Sequence, residues 1–455
     1  MHVATPQGEQ ASYPTSIRPT VRPVSTANRI VLPSGDEATQ RHPSTQRGRC
    51  RHCGARLVHT FVDLGMSPLC ESFLDADQLD EMEPFYPLHV YVCDQCFLVQ
   101  LPEYVSPEAI FREYAYFSSY SDTWLDHSRV YTDHMIERFQ LNRDSWVVEI
   151  ASNEGYLLQW FVARGIPVQG IEPAANVAQV AIQKGVPTWV QFFGRETARQ
   201  WAASGRRADL LIGNNVLAQV PALNDFVAGL RILLAPRGVI TIEFPHLMRL
   251  VAGNQFDTIY HEHFSYFSLL AVERLFAAHQ LVVFDVQELK THGGSLRIYA
   301  RHLEDSSKPI GRRVSELRAQ EEAAGLRHLD YYSAFEANVQ ETKRRLLEFL
   351  IQAKRRGRTI VGYGAPGKGN TLLNYCGIRT DLLQYTVDRS PYKQGKFLPG
   401  THIPIFAPEK LRETRPDYLL ILPWNLKDEI MDQMSYIRDW GGHFVVPIPE
   451  PRVYR

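Results

Sequence analysis

The chain has 455 residues, room for roughly three domains, and its 44% hydrophobic and 11% aromatic content excludes a chain disordered throughout. With 49 Lys and Arg against 50 Asp and Glu the net charge is −1, which argues against a whole-surface grip on nucleic acid or anionic lipid. No stretch reaches the roughly 20 apolar residues of a spanning helix, and the N-terminus has no apolar signal region. A soluble, cytoplasmic protein is expected.

Residues 1–48 are rich in Pro, Ser, Thr and Arg without apolar periodicity, so a disordered tail is expected there. Two C-x-x-C pairs follow, Cys50–Cys53 and Cys93–Cys96, 39 residues apart. Each pair presents two thiols from one tight turn, and together they suit a tetrahedral all-thiolate zinc site. Redox chemistry is the rival use of a C-x-x-C motif. Four protein ligands leave no open position, so such a zinc is structural. Cys70 and Cys376 stand alone and read as buried small hydrophobes.

Residues 106–143 read as mainly helical and carry many aromatics, among them Tyr114, Tyr116 and Trp124. From residue 146 short apolar runs alternate with amphipathic stretches, the pattern of an α/β fold with a parallel sheet. The expected strands are 146–150, 168–171, 210–213 and 238–243, with helices such as 176–184 and 223–234 between them. A charged helical stretch at 312–356 leads to a last α/β unit opened by a strand at 359–363.

The run from Val147 to Tyr156 is a strand entering a small-residue turn and then a helix, a place where a ligand can approach the backbone. Glu172 follows just past the next strand, where a carboxylate can take both hydroxyls of a ribose. A dinucleotide site asks for G-x-G-x-x-G. The positions Glu149, Ala151, Asn153 and Gly155 sit closer to the E/D-x-G-x-G-x-G turn of class I methyltransferases, which bind S-adenosylmethionine. A purely structural turn is the alternative. Asn215, at the end of the third strand, is a further cofactor candidate.

The segment Tyr260-His261-Glu262-His263 packs two imidazoles, a carboxyl and a phenol into four positions. Each would need a partner if buried. The spacing lacks the i, i+4 histidines of a helical zinc site, and general acid–base work is the more natural use. A hydrogen-bonded structural turn is the bland reading.

Taken in order, Cys50-x-x-Cys53, Leu64-Gly65-x-x-Pro68-Leu69, Cys93-x-x-Cys96, Glu149-Ile150-x-Ser152-Asn153-x-Gly155, Tyr260-His261-Glu262-His263 and His292-Gly293-Gly294-Ser295 form a distinctive series. Together with Lys368-Gly369-Asn370-Thr371 and Pro423-Trp424-Asn425, this series resembles the nucleotide-sugar C-methyltransferases of deoxysugar biosynthesis, over residues 50–450. The resemblance implies a zinc-binding module (49–105), a Rossmann-like class I methyltransferase domain (106–305) and a C-terminal Rossmann-like α/β domain that binds a nucleotide sugar (306–455). It implies methylation of a dTDP-4-keto-deoxysugar, most often at C-3, through an enolate, by a chain able to work as a monomer. C-5 methylation and O- or N-methylation are the neighbouring alternatives. His263 is the expected base, with Tyr260 and Glu262 stabilising the enolate or orienting it. Tyr114, Tyr116 and His292 are expected at the substrate. Relatives carry histidine at position 219, so Gln219 takes over no proton-transfer role.

The last α/β unit contains a second glycine-rich turn, from Gly362 to Asn370, whose amides and Lys368 are placed to meet a pyrophosphate, with Asp388 where a ribose partner belongs. Local pattern leaves a dinucleotide, a nucleotide sugar and a structural turn open; the resemblance favours the nucleotide sugar, with Lys368, Asn370 and Asp388 as its contacts. A different class altogether is a nucleic-acid-binding zinc ribbon using Arg47, Arg49, Arg51 and Arg56. Asp75, Asp77, Asp80, Glu81 and Glu83 in the same module oppose a phosphate grip.

Overall fold

The computed structural model describes residues 48–111 and 122–455. The tail expected at 1–48, all but Gly48, and the candidates Tyr114 and Tyr116 lie outside the described residues. Past the first cysteine pair, alternating apolar residues such as Leu88, Val90 and Val92 make a half-buried antiparallel pair of strands, β1 (His59–Ser67) and β2 (Tyr86–Val92). The short β3 (Val99–Gln100) pairs with β2 and is followed by α1 (Pro107–Phe111) and α2 (Asp122–Phe139).

The alternating pattern then builds β4 (Val147–Ile150), α3 (Leu158–Val162), β5 (Val168–Ile171), α4 (Ala175–Gln183), β6 (Thr188–Trp189) and α5 (Arg195–Ala203). It continues through β7 (Ala208–Asn214), α6 (Leu223–Leu233), β8 (Leu234–Pro245), α7 (Leu247–Ala252), β9 (Ser265–Tyr266), α8 (Leu269–Ala277), β10 (Leu281–Leu289) and β11 (Ser295–His302). These strands, β9 excepted, form a seven-stranded sheet in the order β10-β11-β8-β7-β4-β5-β6. The five from β6 to β8 are parallel, and β11 and β10 close the edge antiparallel. Every residue of β4 is buried, as expected for a strand covered on both faces. Chain order reverses between β4 and β7, so a ligand crevice opens at their carboxyl ends.

The stretch expected as one helix from 312 to 356 is two. Gly325, at φ 94°, adopts the left-handed conformation that ends α9 (Arg312–Ala324), and the chain restarts as α10 (Leu329–Arg355). α10 buries Tyr332, Phe335, Val339, Leu346 and Leu350 in one cluster with Phe61 of β1 and Ile360. Phe335 stacks on Phe61 with ring centroids 4.6 Å apart. The last unit consists of β12 (Ile360–Tyr363), α11 (Gly367–Cys376), β13 (Thr386–Val387), β14 (Ile405–Phe406), α12 (Lys410–Thr414), β15 (Tyr418–Ile421), α13 (Lys427–Gln433), β16 (His443–Val446) and β17 (Arg452–Tyr454). Its sheet runs β14-β13-β12-β15-β16-β17, parallel except for β17.

β9 leaves the central sheet and becomes the fourth strand of the N-terminal one, with Val99 opposite Tyr266 and Gln100 opposite Ser265. The segment that carries His263 is therefore built into the sheet of the cysteine module, although the sequence boundaries put it in a separate domain. Residues Gln46–Arg455 cluster as one unit. Among the described residues, no helix is long and apolar enough to cross a membrane.

One buried carboxylate ties three elements together. Glu321 of α9 takes a hydrogen bond from His246 Nε2 (2.7 Å) and from the first amides of α8, Leu269 (2.7 Å) and Leu270 (2.8 Å). Removing it strands a fully buried imidazole and two helix-terminal donors. Glu321→Ala is expected to cost about 3 kcal/mol of unfolding free energy in urea titration; a loss of only a few tenths would show that water replaces the carboxylate.

Candidate active site

The four sulfurs of Cys50, Cys53, Cys93 and Cys96 all lie within 4.8 Å of one another, with Cys50–Cys96 and Cys53–Cys93 each at 3.5 Å. Tetrahedral zinc with bonds of about 2.3 Å needs sulfurs about 3.8 Å apart, so the cluster fits. Each pair opens a tight turn closed by a backbone bond, Gly54 N–H to Cys50 C=O (2.9 Å) and Phe97 N–H to Cys93 C=O (2.9 Å). The Gln100 amide donates to Cys50 Sγ (3.2 Å), and Asn224 of α6 donates to the Arg51 (3.1 Å) and His52 (2.9 Å) carbonyls. A zinc ion bound by these four thiolates would hold the module, and Asn224 docks its first turn on α6.

At the switch point, Ala151, Asn153 and Gly155 all have positive φ, at 56°, 49° and 76°. The turn thus keeps a three-glycine shape with two non-glycine residues, at a steric cost of about 1–2 kcal/mol each. At Gly155 a Cβ would lie 2.9 Å from Val186 Cγ2, so a side chain is excluded there. Glu172 accepts from the Asn153 and Ala174 amides, both at 2.9 Å, which fixes its carboxylate just past β5 against the turn. Glu149 is fully buried, and neither of its oxygens has a hydrogen bond of good geometry. Burial and then Glu154 push its pKa well above the carboxylate range. Ser152 Oγ, Asn214 Oδ1 and Asn215 Oδ1 are also buried without partners. A ligand bringing hydroxyl donors and positive charge satisfies this set, and S-adenosylmethionine has both. Asn215, at φ 56°, is bonded to His292 Nε2 (3.1 Å).

In the next cluster His263 Nδ1 donates to the Thr258 carbonyl at 3.0 Å. That bond places the proton on Nδ1 and leaves the Nε2 lone pair free on a half-buried ring. Burial, with help from His292 and Lys368, brings its pKa down to about 4, the Thr258 carbonyl opposing. The Tyr260 ring lies against the imidazole, centroids 4.0 Å apart. His261 turns away: its Nε2 bonds the Pro87 carbonyl (3.2 Å), which makes it an anchor to β2. Glu262 faces Cys70, whose thiol donates to Oε1 at 3.6 Å. Burial and then Glu71 push the Glu262 carboxyl up to about 8, so it is protonated at neutral pH. Cys70 is buried, as expected, but it contacts this acid and is not simply packing. Phe264 N–H bonds the Ala218 carbonyl (2.8 Å), which sets the turn holding Gln219 beside the segment.

The glycines of the C-terminal turn are fitted closely to neighbouring side chains. A Cβ at Gly364 would lie 2.6 Å from Pro423 Cδ, and one at Gly367 would lie 2.8 Å from Cys70 Sγ. Asp388 spends its oxygens on the Ala365 (2.7 Å) and Ser390 (2.8 Å) amides, and Asn370 Nδ2 donates to the Cys70 carbonyl. Lys368 Nζ donates to Asn425 Oδ1 at 2.8 Å.

Two polar groupings are absent from the sequence reading. Glu243, at the carboxyl end of β8, takes bonds from Arg297 (2.6 Å), His127 (3.2 Å) and Thr291 (2.8 Å). Against the cost of burial, Arg297 and His127 hold it down at about 2. It fixes the turn that carries His292, and a charged residue ending an apolar strand was its only local signal. Asp257 is buried too and accepts from Trp424 Nε1 at 2.6 Å.

Cys96→Ser is expected to leave well under one zinc per chain by elemental analysis; full zinc would contradict the four-thiolate site. Glu149→Gln gives a pH-dependent signature. The raised carboxyl favours the fold below its unfolded pKa and loses that contribution as pH rises through the folded value. Without cofactor, the variant should therefore gain stability relative to its parent as pH rises above the usual carboxylate range, read by urea titration at several pH values. It should bind S-adenosylmethionine at least tenfold more weakly; equal affinity would remove Glu149 from the site.

Family models match three successive stretches: a zinc binding domain at residues 50–111, a methyltransferase domain at 125–286 and a C-methyltransferase C-terminal domain at 290–449. The last begins before β11, ahead of the boundary expected at 306. Over 404 residues the chain is 37% identical to the C-methyltransferase NovU of Streptomyces niveus, covering 89% of this chain and 96% of that protein. Among solved structures, an S-adenosylmethionine-dependent methyltransferase from Anabaena variabilis overlaps 42% of this chain and 97% of its own (13% identity, TM-score 0.31). One from Clostridium acetobutylicum overlaps 39% and 92% (10% identity, TM-score 0.31). By its match to NovU along nearly the whole length of both proteins, the chain belongs to the C-methyltransferase family and is an S-adenosylmethionine-dependent enzyme with a zinc-binding module.

Proposed function

We propose that the acceptor is a dTDP-4-keto-deoxysugar and that the methyl group goes to a ring carbon beside the ketone, C-3 in the first instance. The observation that carries this reading is the His263 imidazole, whose Nδ1–H is committed to the Thr258 carbonyl while Nε2 stays free and unprotonated. A C–H next to a ketone is acidic because its electron pair can move onto the carbonyl oxygen. A neutral imidazole held at a fixed angle is suited to take that proton. S-adenosylmethionine supplies an electrophilic methyl group on a sulfonium.

The chain's own residues divide the remaining work. Tyr260, whose ring lies tilted against His263, restricts the plane of the base. Glu262, protonated at neutral pH, is a hydrogen-bond donor toward a sugar oxygen. Glu149, Ala151, Asn153, Gly155, Glu172 and Asn215 hold the cofactor at the switch point. The nucleotide part of the acceptor takes the C-terminal domain, near Asn370 and Asp388, and His292 borders the sugar. Tyr114 and Tyr116 remain substrate candidates. Carbons C-3 and C-5 both flank the ketone, so product analysis decides between them.

Methyl transfer from labelled S-adenosylmethionine to a panel of dTDP-4-keto-6-deoxy sugars, with NMR of the product, tests the reading. A new methyl on C-3 is expected, and a methyl on oxygen or nitrogen would contradict it. His263→Asn should keep cofactor affinity and lower kcat by about 10²–10⁴-fold. In the parent, kcat/KM should fall below pH of about 4 as His263 gains a proton and fall again above about 8 as Glu262 loses one. Glu262→Gln keeps a donor and should abolish the upper limb; an unchanged limb would assign it to another group.

A further inference from the structure

Lys368 is a partly buried cation in the first turn of α11. Its ammonium has three donors, and among the described residues its one hydrogen-bond acceptor is Asn425 Oδ1. Among the described residues no carboxylate lies within the 4.0 Å of an ion pair, and the indole face of Trp424 lies 4.9 Å away. The side chain is partly buried with Asp257 as its nearby opposite charge, and its single neutral acceptor leaves two N–H donors for a ligand oxygen. Gly364 and Gly367 of the turn before it are fitted to Pro423 and Cys70.

The surroundings point to the reacting centre. Trp424, beneath the ammonium, donates to Asp257 Oδ2, and the next residue along, Thr258, provides the carbonyl that orients His263. Lys368 is close enough to act electrostatically on Asp257, His263 and His292 alike. Asp257 Oδ1 is buried without a partner, so this wall of the site is incomplete as it stands.

Resting on the ketosugar reading, we infer that Lys368 is a catalytic residue whose ammonium hydrogen-bonds the 4-keto oxygen and stabilises the enolate. His263 Nε2 takes the ring C–H proton, and the electron pair of that bond moves onto the keto oxygen, where Lys368 donates to it. As the enolate returns its electron pair to carbon, the new C–CH3 bond forms and the S–CH3 bond breaks, sulfur keeping that pair as a neutral thioether. The proton on His263 then leaves to solvent.

Lys368→Met and Lys368→Arg test this. Two rates are read: exchange of the acceptor's ring hydrogen into D2O with S-adenosylhomocysteine bound, by NMR, and methyl transfer at saturation. For Lys368→Met both should fall at least 10²-fold, the scale of a lost oxyanion donor. KM, and the Kd for dTDP by calorimetry, should stay within threefold. Lys368→Arg keeps the charge, so it should recover at least a tenth of the exchange rate, and it stands alone as the test if the Met variant does not fold. In that case a loss of exchange as large as His263→Asn gives would overturn the inference. So would unchanged exchange in Lys368→Met, or a tenfold rise in KM and dTDP Kd with kcat intact, which would assign the ammonium to the diphosphate. Wild-type enzyme that neither exchanges nor methylates any panel sugar would remove the ketosugar reading itself, and this inference with it.

Discussion

Two backbone pairings, Val99 with Tyr266 and Gln100 with Ser265, decide where the chemistry sits. A two-residue strand has almost no stability of its own. β9 persists because β3 is held between it and β2, and because the Gln100 side chain reaches Cys50 of the metal cluster. Leu101 N–H adds a third link to the Phe264 carbonyl (3.0 Å). His263 lies two residues ahead of this seam, so the zinc module is built into the wall of the proposed site.

The same segment is clamped from other directions. Ile259 C=O accepts from Thr371 of α11 (2.9 Å), His261 is tied to Pro87, and Asp257 to Trp424. Polar groups in a low-dielectric interior interact strongly only when their geometry is fixed beforehand. Here three parts of the chain supply that geometry. This explains how one imidazole can be kept neutral while a carboxyl one residue away is kept protonated: burial acts on both, and it disfavours the charged form of each.

Much of this was legible in the sequence wherever the constraint is local. The cysteine quartet can be read because two C-x-x-C turns already fix the ligand geometry. The turn from Glu149 to Gly155 can be read even though Ala151 and Asn153 replace glycines, since the flanking strand, the helix and Glu172 keep their spacing. Non-local pairing was not legible. β9 has no periodicity to mark it, and Glu243, Arg297 and His127 come from three elements, His127 lying 116 positions ahead of Glu243. At the glycine turn Gly362–Asn370, spacing alone cannot show that Pro423 and Cys70 occupy the space the missing side chains leave.

The most direct test of the central claim is a crystal structure of the enzyme with S-adenosylhomocysteine and a dTDP-4-keto-6-deoxy sugar. The expected result places a ring carbon beside the ketone within about 3.5 Å of His263 Nε2, with the thioether sulfur on the opposite face of the ring. A sugar ring seated away from the Tyr260–His263 turn, or one presenting an oxygen to the sulfur, would contradict it.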